Sequence, residues 1–131
     1  MIQLYSILIW AGYMSLEGCR EAYYWTAVGR LPESLKPKNA HPEFLMQRCI
    51  VFAPLCYISR EWAIIASMAC ISPFFHNGMY YTIRNYIDKC YPKRWLDQST
   101  NSTAWSTIYL QPWVRVSGFV VGVVLLFINY Y

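Results

Sequence analysis

Charge is what this sequence has least of. Only 14% of its 131 residues are Asp, Glu, Lys or Arg, against about a quarter in an ordinary soluble domain, and residues 1–16 carry none. The net charge of +4 is dispersed along the chain, which argues against a nucleic-acid partner, since such a surface gathers Lys and Arg on one face. The five cysteines (Cys19, Cys49, Cys56, Cys70, Cys90) form no C-x-x-C pair. Their odd number and spacing speak against a closed disulfide framework or a structural zinc site, so they are expected as small buried hydrophobes. Histidine is scarcer still, with His41 and His76 alone. No Glu-x-x-His or second helical carboxylate pair accompanies them, which leaves no dinuclear site of the helical-bundle kind. No metal or cofactor is therefore expected. A Gly-x-Ser-x-Gly elbow is also lacking, and no basic n-region precedes an apolar stretch at the N-terminus, so no cleavable signal is evident.

What remains is oil and aromatic rings: 56% of residues are hydrophobic and 18% aromatic. The stretches free of Asp, Glu, Lys and Arg are 1–16, 49–59, 62–83 and 116–131. Crossing the hydrocarbon core of a bilayer takes about twenty mostly apolar residues. Only 62–83 reaches that unaided, and it contains His76 and Asn77. The others require extension through "EGCREAYYW" (17–25), "FLMQR" (44–48) and "LQPWVR" (110–115), each of which imports polar groups. The expected fold is all-α: a small polytopic membrane protein, one domain over 1–131, with about four helices, or three if 44–83 is one continuous element. Helices are predicted over 2–28 and 110–130. The connections 29–42 and 88–103 are both net basic, and the positive-inside bias puts them on the cytoplasmic side of a bacterial inner membrane or its organellar equivalent. Trp95, Trp105 and Trp113 fit an interfacial belt, and Asn101-Ser102-Thr103 matches a glycosylation acceptor by chance. A soluble helical assembly subunit is the rival, given a mean hydropathy of only +0.22.

Helical spacing sorts the polar residues into faces. Ala11, Ser15, Gly18, Ala22 and Thr26 form a stripe of small residues that invites close approach by another helix. Glu17, Arg20, Glu21 and Tyr24 lie about 80 to 180 degrees away from it. If the third helix continues past Gly78, then His76, Asn77, Tyr80, Tyr81, Arg84 and Asp88 share about 140 degrees of arc. The carboxylates of Glu17 and Glu21 are expected to pair with Arg84, or with Arg48 from the second helix, because ionised groups at membrane depth converge on a common interior. Arginine suits such a pair better than lysine, and all four lysines fall in the two polar connections. Gly118-x-x-x-Gly122 is a further close-approach motif, serving either internal packing or association.

Three classes of function fit these features. A structural, accessory or oligomer-forming subunit, bound to lipid and to other membrane chains or copies of itself, is the leading one. The second is a small pore, transporter or membrane-permeabilising oligomer, which requires a continuous polar path. The third is a membrane-embedded enzyme built on Glu17, Glu21 and His76, for which no catalytic motif is present.

Overall fold

The computed structural model describes residues 2–35, 41–89 and 111–130. Four helices account for nearly all of them: α1 (Ile2–Gly29), α2 (His41–Ser59), α3 (Trp62–Ile87) and α4 (Pro112–Tyr130). α1 contains no proline, and it closes with tightened bonds from the Arg30 and Leu31 N–H groups to the carbonyls of Ala27 and Val28, at 3.1 and 3.0 Å, before Pro32 ends the run. α2 and α3 are separate, so 44–83 is not one element. Between them stand Arg60 and Glu61. Arg60 adopts φ 55, the left-handed conformation that terminates many helices, and its N–H bonds to the Cys56 carbonyl at 3.1 Å. α3 runs through Gly78 without interruption and stops where the Asp88 N–H reaches Arg84 O. α4 starts on Pro112, whose missing N–H costs nothing in a first turn.

Contacts along the helices fix their directions. Trp10 meets Met68 and Ser72, Gly18 meets His76 and Tyr80, and Thr26 meets Arg84, so α1 and α3 run parallel. α2 opposes both, with Glu21 facing Arg48 and Tyr24 facing Phe44. α4 opposes α3, since Gly122 lies on Ser67 and Ile71 while Gly118 lies on Cys70. The result is an up-down-up-down arrangement in which the C-terminal ends of α1 and α3 and the N-terminal ends of α2 and α4 lie at one end. α3 is the central element: α1 and α4 both lie along it, whereas α2 rests mainly on α1, and among the described residues α4 packs only on α3.

The apolar core joins Ile7, Trp10 and Met14 of α1 to Leu55 of α2 and to Ile64, Met68 and Ile71 of α3. Trp10 satisfies its indole N–H on the Met68 carbonyl and the Ser72 hydroxyl, at 2.9 and 2.8 Å. On the outside of the bundle, large apolar side chains are exposed: Leu8, Ile9 and Leu16 on α1, Ile50 and Ile58 on α2, and Val120, Val124 and Phe127 on α4. Cys49 is exposed, and Cys19, Cys56 and Cys70 are half-buried free thiols, which corrects the expectation of buried cysteines; Cys90 lies outside the described residues.

Among the described residues, no helix is long and apolar enough to cross a membrane. The membrane-spanning part of the expected architecture is therefore unsupported by any single helix. The physical reason is visible in each one. α1 and α3 have length, about 42 and 39 Å at 1.5 Å per residue, but they carry Glu17, Arg20 and Glu21, and His76, Asn77 and Arg84. α2 and α4 are nineteen residues each, α2 carrying Glu43 and Arg48 and α4 carrying Arg115. Residues 36–40 of the first basic connection, with Lys36 and Lys38, and most of the second, with Lys93, Trp95, the Asn101 sequon and the adjoining Trp105, lie outside the described residues.

Candidate functional site: a buried ionic centre

Gly18 explains how two acids become buried. A Cβ at this position would run into the His76 carbonyl oxygen, and it would sit 3.1 Å from the His76 carbonyl carbon and the Tyr80 nitrogen. The backbones of α1 and α3 thus touch here, and Glu17 and Glu21, one residue before and three after, are drawn into the bundle. They are only 4% and 7% exposed. Ala22, on the same small-residue stripe, is fully buried, while Ser15 returns its hydroxyl to the Ala11 carbonyl at 2.9 Å.

Each carboxylate has charged partners. Glu17 Oε1 accepts from Arg20 Nη2 at 2.8 Å and lies 3.9 Å from Arg48 Nε. Glu21 Oε2 accepts from Arg48 Nη2 at 2.7 Å and stands 2.8 Å from His76 Nε2. Trp25 Nε1 donates to the other oxygen, Oε1, at 3.3 Å. Arg48 Nη2 is also 2.8 Å from His76 Nε2, so three side chains from three helices form a closed triangle of contacts. On its far side, His76 Nδ1 lies 2.9 Å from Asn77 Oδ1, and the Tyr80 ring lies nearly parallel to the imidazole. Tyr24 contributes a ring to the surroundings: it stands edge-on to Phe44, over which the Arg20 guanidinium sits at 4.9 Å.

Of the two arginines expected as carboxylate partners, Arg48 is the one that reaches Glu21. Arg84 is buried one helical stage nearer the connections, where its Nη1 donates to Thr26 Oγ1 at 3.1 Å and its guanidinium faces the Tyr80 ring at 6.0 Å. A further cation, absent from the sequence-derived set, joins this level: Arg115 of α4 is 0% exposed, with its guanidinium 5.6 Å from the Tyr81 ring. The signal for it was present, because the fourth apolar run reaches full length only by taking in Arg115, and a lone cation in such a helix has to turn inward.

Gly118 and Gly122 face α3. A Cβ at Gly118 would stand 2.9 Å from the Cys70 carbonyl, and one at Gly122 would stand 2.6 Å from Ile71 Cγ2 and 3.1 Å from the Ser67 carbonyl. Ser67 donates its hydroxyl to the Gly122 carbonyl at 2.6 Å. The motif is used inside the chain. Among the described residues, no three His, Cys, Asp or Glu side chains gather as a metal site. What the centre can do chemically is hold charge and accept or release a proton. No protein-family model matches this chain, and no curated protein or solved structure is similar enough to match it.

Proposed function

We propose that the protein is a structural or accessory subunit that works embedded in an apolar surround, a lipid bilayer shared with other membrane chains or further copies of itself. The observation that carries this reading is the distribution of polarity. Glu17, Glu21, His76, Asn77, Arg84 and Arg115 are buried, whereas Leu16, Ile50, Val120, Phe127 and Ile128 are exposed. A water-soluble bundle of this size is expected to do the reverse, because buried charge costs several kcal/mol unless paired, and contiguous exposed apolar surface favours association.

Averaging hydropathy along one helix hides this, since Glu17 and Glu21 of α1 and Arg84 of α3 turn inward while apolar residues remain outside. In this reading the exposed apolar residues of the four helices together form the lipid-facing surface, among them Leu16, Ile50, Trp62, Val120 and Phe127. The basic connections leaving from one end then mark the cytoplasmic or equivalent side. The glycine motif of α4 being occupied by α3, partner chains are expected on the outward Val120, Val124 and Phe127 face.

The test is extraction and labelling. The chain is expected to stay with membranes through alkaline carbonate washing, and cysteines introduced at Lys36 and Lys93 are expected to label from one side only. Release into the wash as a water-soluble monomer sinks the proposal, and labelling from opposite sides sinks the orientation.

A further inference from the structure

The triangle of Arg48, Glu21 and His76 contains more hydrogen-bond capacity than it can satisfy at once. With Asn77 Oδ1 facing Nδ1 at 2.9 Å, the Nδ1 atom bears the imidazole hydrogen, and Nε2 of the neutral ring presents a lone pair. Arg48 Nη2, always a donor, fills that lone pair at 2.8 Å and simultaneously serves Glu21 Oε2 at 2.7 Å. Yet Glu21 Oε2 is itself 2.8 Å from Nε2. In the neutral state these two acceptors stand in hydrogen-bond contact with no hydrogen between them. A proton added to Nε2 removes that conflict, because the imidazolium donates to Oε2. It creates the opposite conflict with Arg48, whose N–H then points at another N–H and whose charge meets a second cation.

We infer that this triangle is a proton-binding site in which a proton and the Arg48 guanidinium compete for the single lone pair of His76 Nε2, so that protonation releases α2. The proton comes from solvent along the flank of Arg48, whose side chain is 26% exposed while that of His76 is 10% exposed. It adds to Nε2, no bond between heavy atoms changes, and the positive charge gained is relieved by withdrawal of Arg48.

The charged and titratable groups around His76 agree with this direction. α1 presents Glu17, Arg20 and Glu21, in which the two acids are already matched by Arg20 and Arg48. α3 itself presents Tyr80 and Arg84, and α4 brings Arg115 over Tyr81. A new cation at His76 therefore stands against the Arg48 guanidinium at 2.8 Å, and Arg48 is carried by the least embedded helix. α2 touches α3 less than any other packed pair. Besides Arg48 it is held by Phe44 against Tyr24, Phe52 against Trp10 and Leu55 in the apolar core, and it joins α3 through Arg60 and Glu61, a ready hinge. This inference requires water at the Arg48 flank and is otherwise independent of what surrounds the bundle.

The experiment uses the full chain in detergent micelles between about pH 8 and pH 5, the window in which imidazole changes charge. Nitrogen NMR of the histidine-labelled protein is expected to show His76 with hydrogen on Nδ1 alone at the upper end, gaining a second on Nε2 as pH falls. Over the same range, amide exchange in 44–58, corrected for intrinsic pH dependence, is expected to rise by about ten-fold, a modest local opening, while 64–75 of α3 stays protected. His76→Gln is expected to abolish the pH response, and His76→Lys to leave α2 open throughout. Hydrogen on Nε2 at pH 8, protonation without any change in α2 exchange, or a pH response preserved in His76→Gln each overturns the inference. Should His76→Lys fail to fold, the wild-type and His76→Gln measurements decide alone.

Discussion

α1 is held on two sides by opposite means. Against α3 it lies backbone to backbone, with Gly18 on the His76 carbonyl. Against α2 it reaches out through long side chains, with Arg48 on Glu21 and Phe44 under Arg20. The first interface tolerates no added atom, and the second tolerates rearrangement but no missing charge. Close approach sets which helices neighbour one another, while the ion pairs set how firmly the remaining helix is held.

Substitutions can break each half of that contrast, and all are read by thermal unfolding of the purified chain in detergent. The largest effect is expected from Gly18→Leu, which drives a side chain into backbone that has nowhere to go; a loss of about 5 kcal/mol or outright failure to fold is expected, at the extreme of overpacking effects. Stability within 1 kcal/mol of wild type, on the order of ordinary surface changes, contradicts the close approach.

On the other side of α1, Glu21→Ala removes the acid shared by Arg48 and His76 and is expected to cost about 3 kcal/mol, the lower end for breaking a buried pair because Arg48 keeps some solvent. Arg48→Ala combined with it is expected to cost about 1 kcal/mol or more below the sum of the singles. Strict additivity of the two shows that the pair contributes nothing jointly.

Gly122→Ala tests the α3/α4 contact. Its new methyl meets the Ile71 Cγ2 methyl, a side-chain atom, before it meets backbone, so a smaller loss, about 1.5 kcal/mol, is expected, with partial recovery when Ile71→Leu, which lacks a methyl on Cβ, is added. No recovery places the clash on the Ser67 carbonyl instead. The smallest effect belongs to Gly12→Ala, where a Cβ meets nothing. It is expected to stabilise by up to about 1 kcal/mol through helix propensity, and a marked loss there reveals a neighbour on that face.

Periodicity made much of this legible from the chain alone. Uncharged runs located all four helices, and α1 and α4 begin and end within two residues of their expected bounds. Steps of three and four marked Gly18 and Ala22, Gly118 and Gly122 as approach points, because a missing side chain is a local fact. Two other features depend on geometry between helices. The choice of Arg48 for Glu21 follows from the offset between α1 and α2, and the choice of Tyr81 as the ring that Arg115 meets follows from how α4 lies on α3. The exposure of Cys49 has the same origin, since residue type says nothing of which side of α2 is covered. Hydropathy misled in one place: it singled out 62–83 as a span, yet that stretch includes His76 and Asn77 on the helix's buried face.

The parallel pairing of α1 with α3 has a consequence for the order of events during synthesis. Trp10 bonds to Met68 and Thr26 to Arg84, each 58 residues further along the chain. When α1 leaves the ribosome, the carbonyl that Gly18 will touch and the imidazole that Glu21 will meet have not been made. Such distant contacts close late and slow folding, so the acids of α1 spend the interval with α2, whose Arg48 arrives 27 residues after Glu21. α2 is thus the first companion of a helix whose permanent neighbour is α3, and the nascent chain is most exposed to wrong association between the emergence of those two helices.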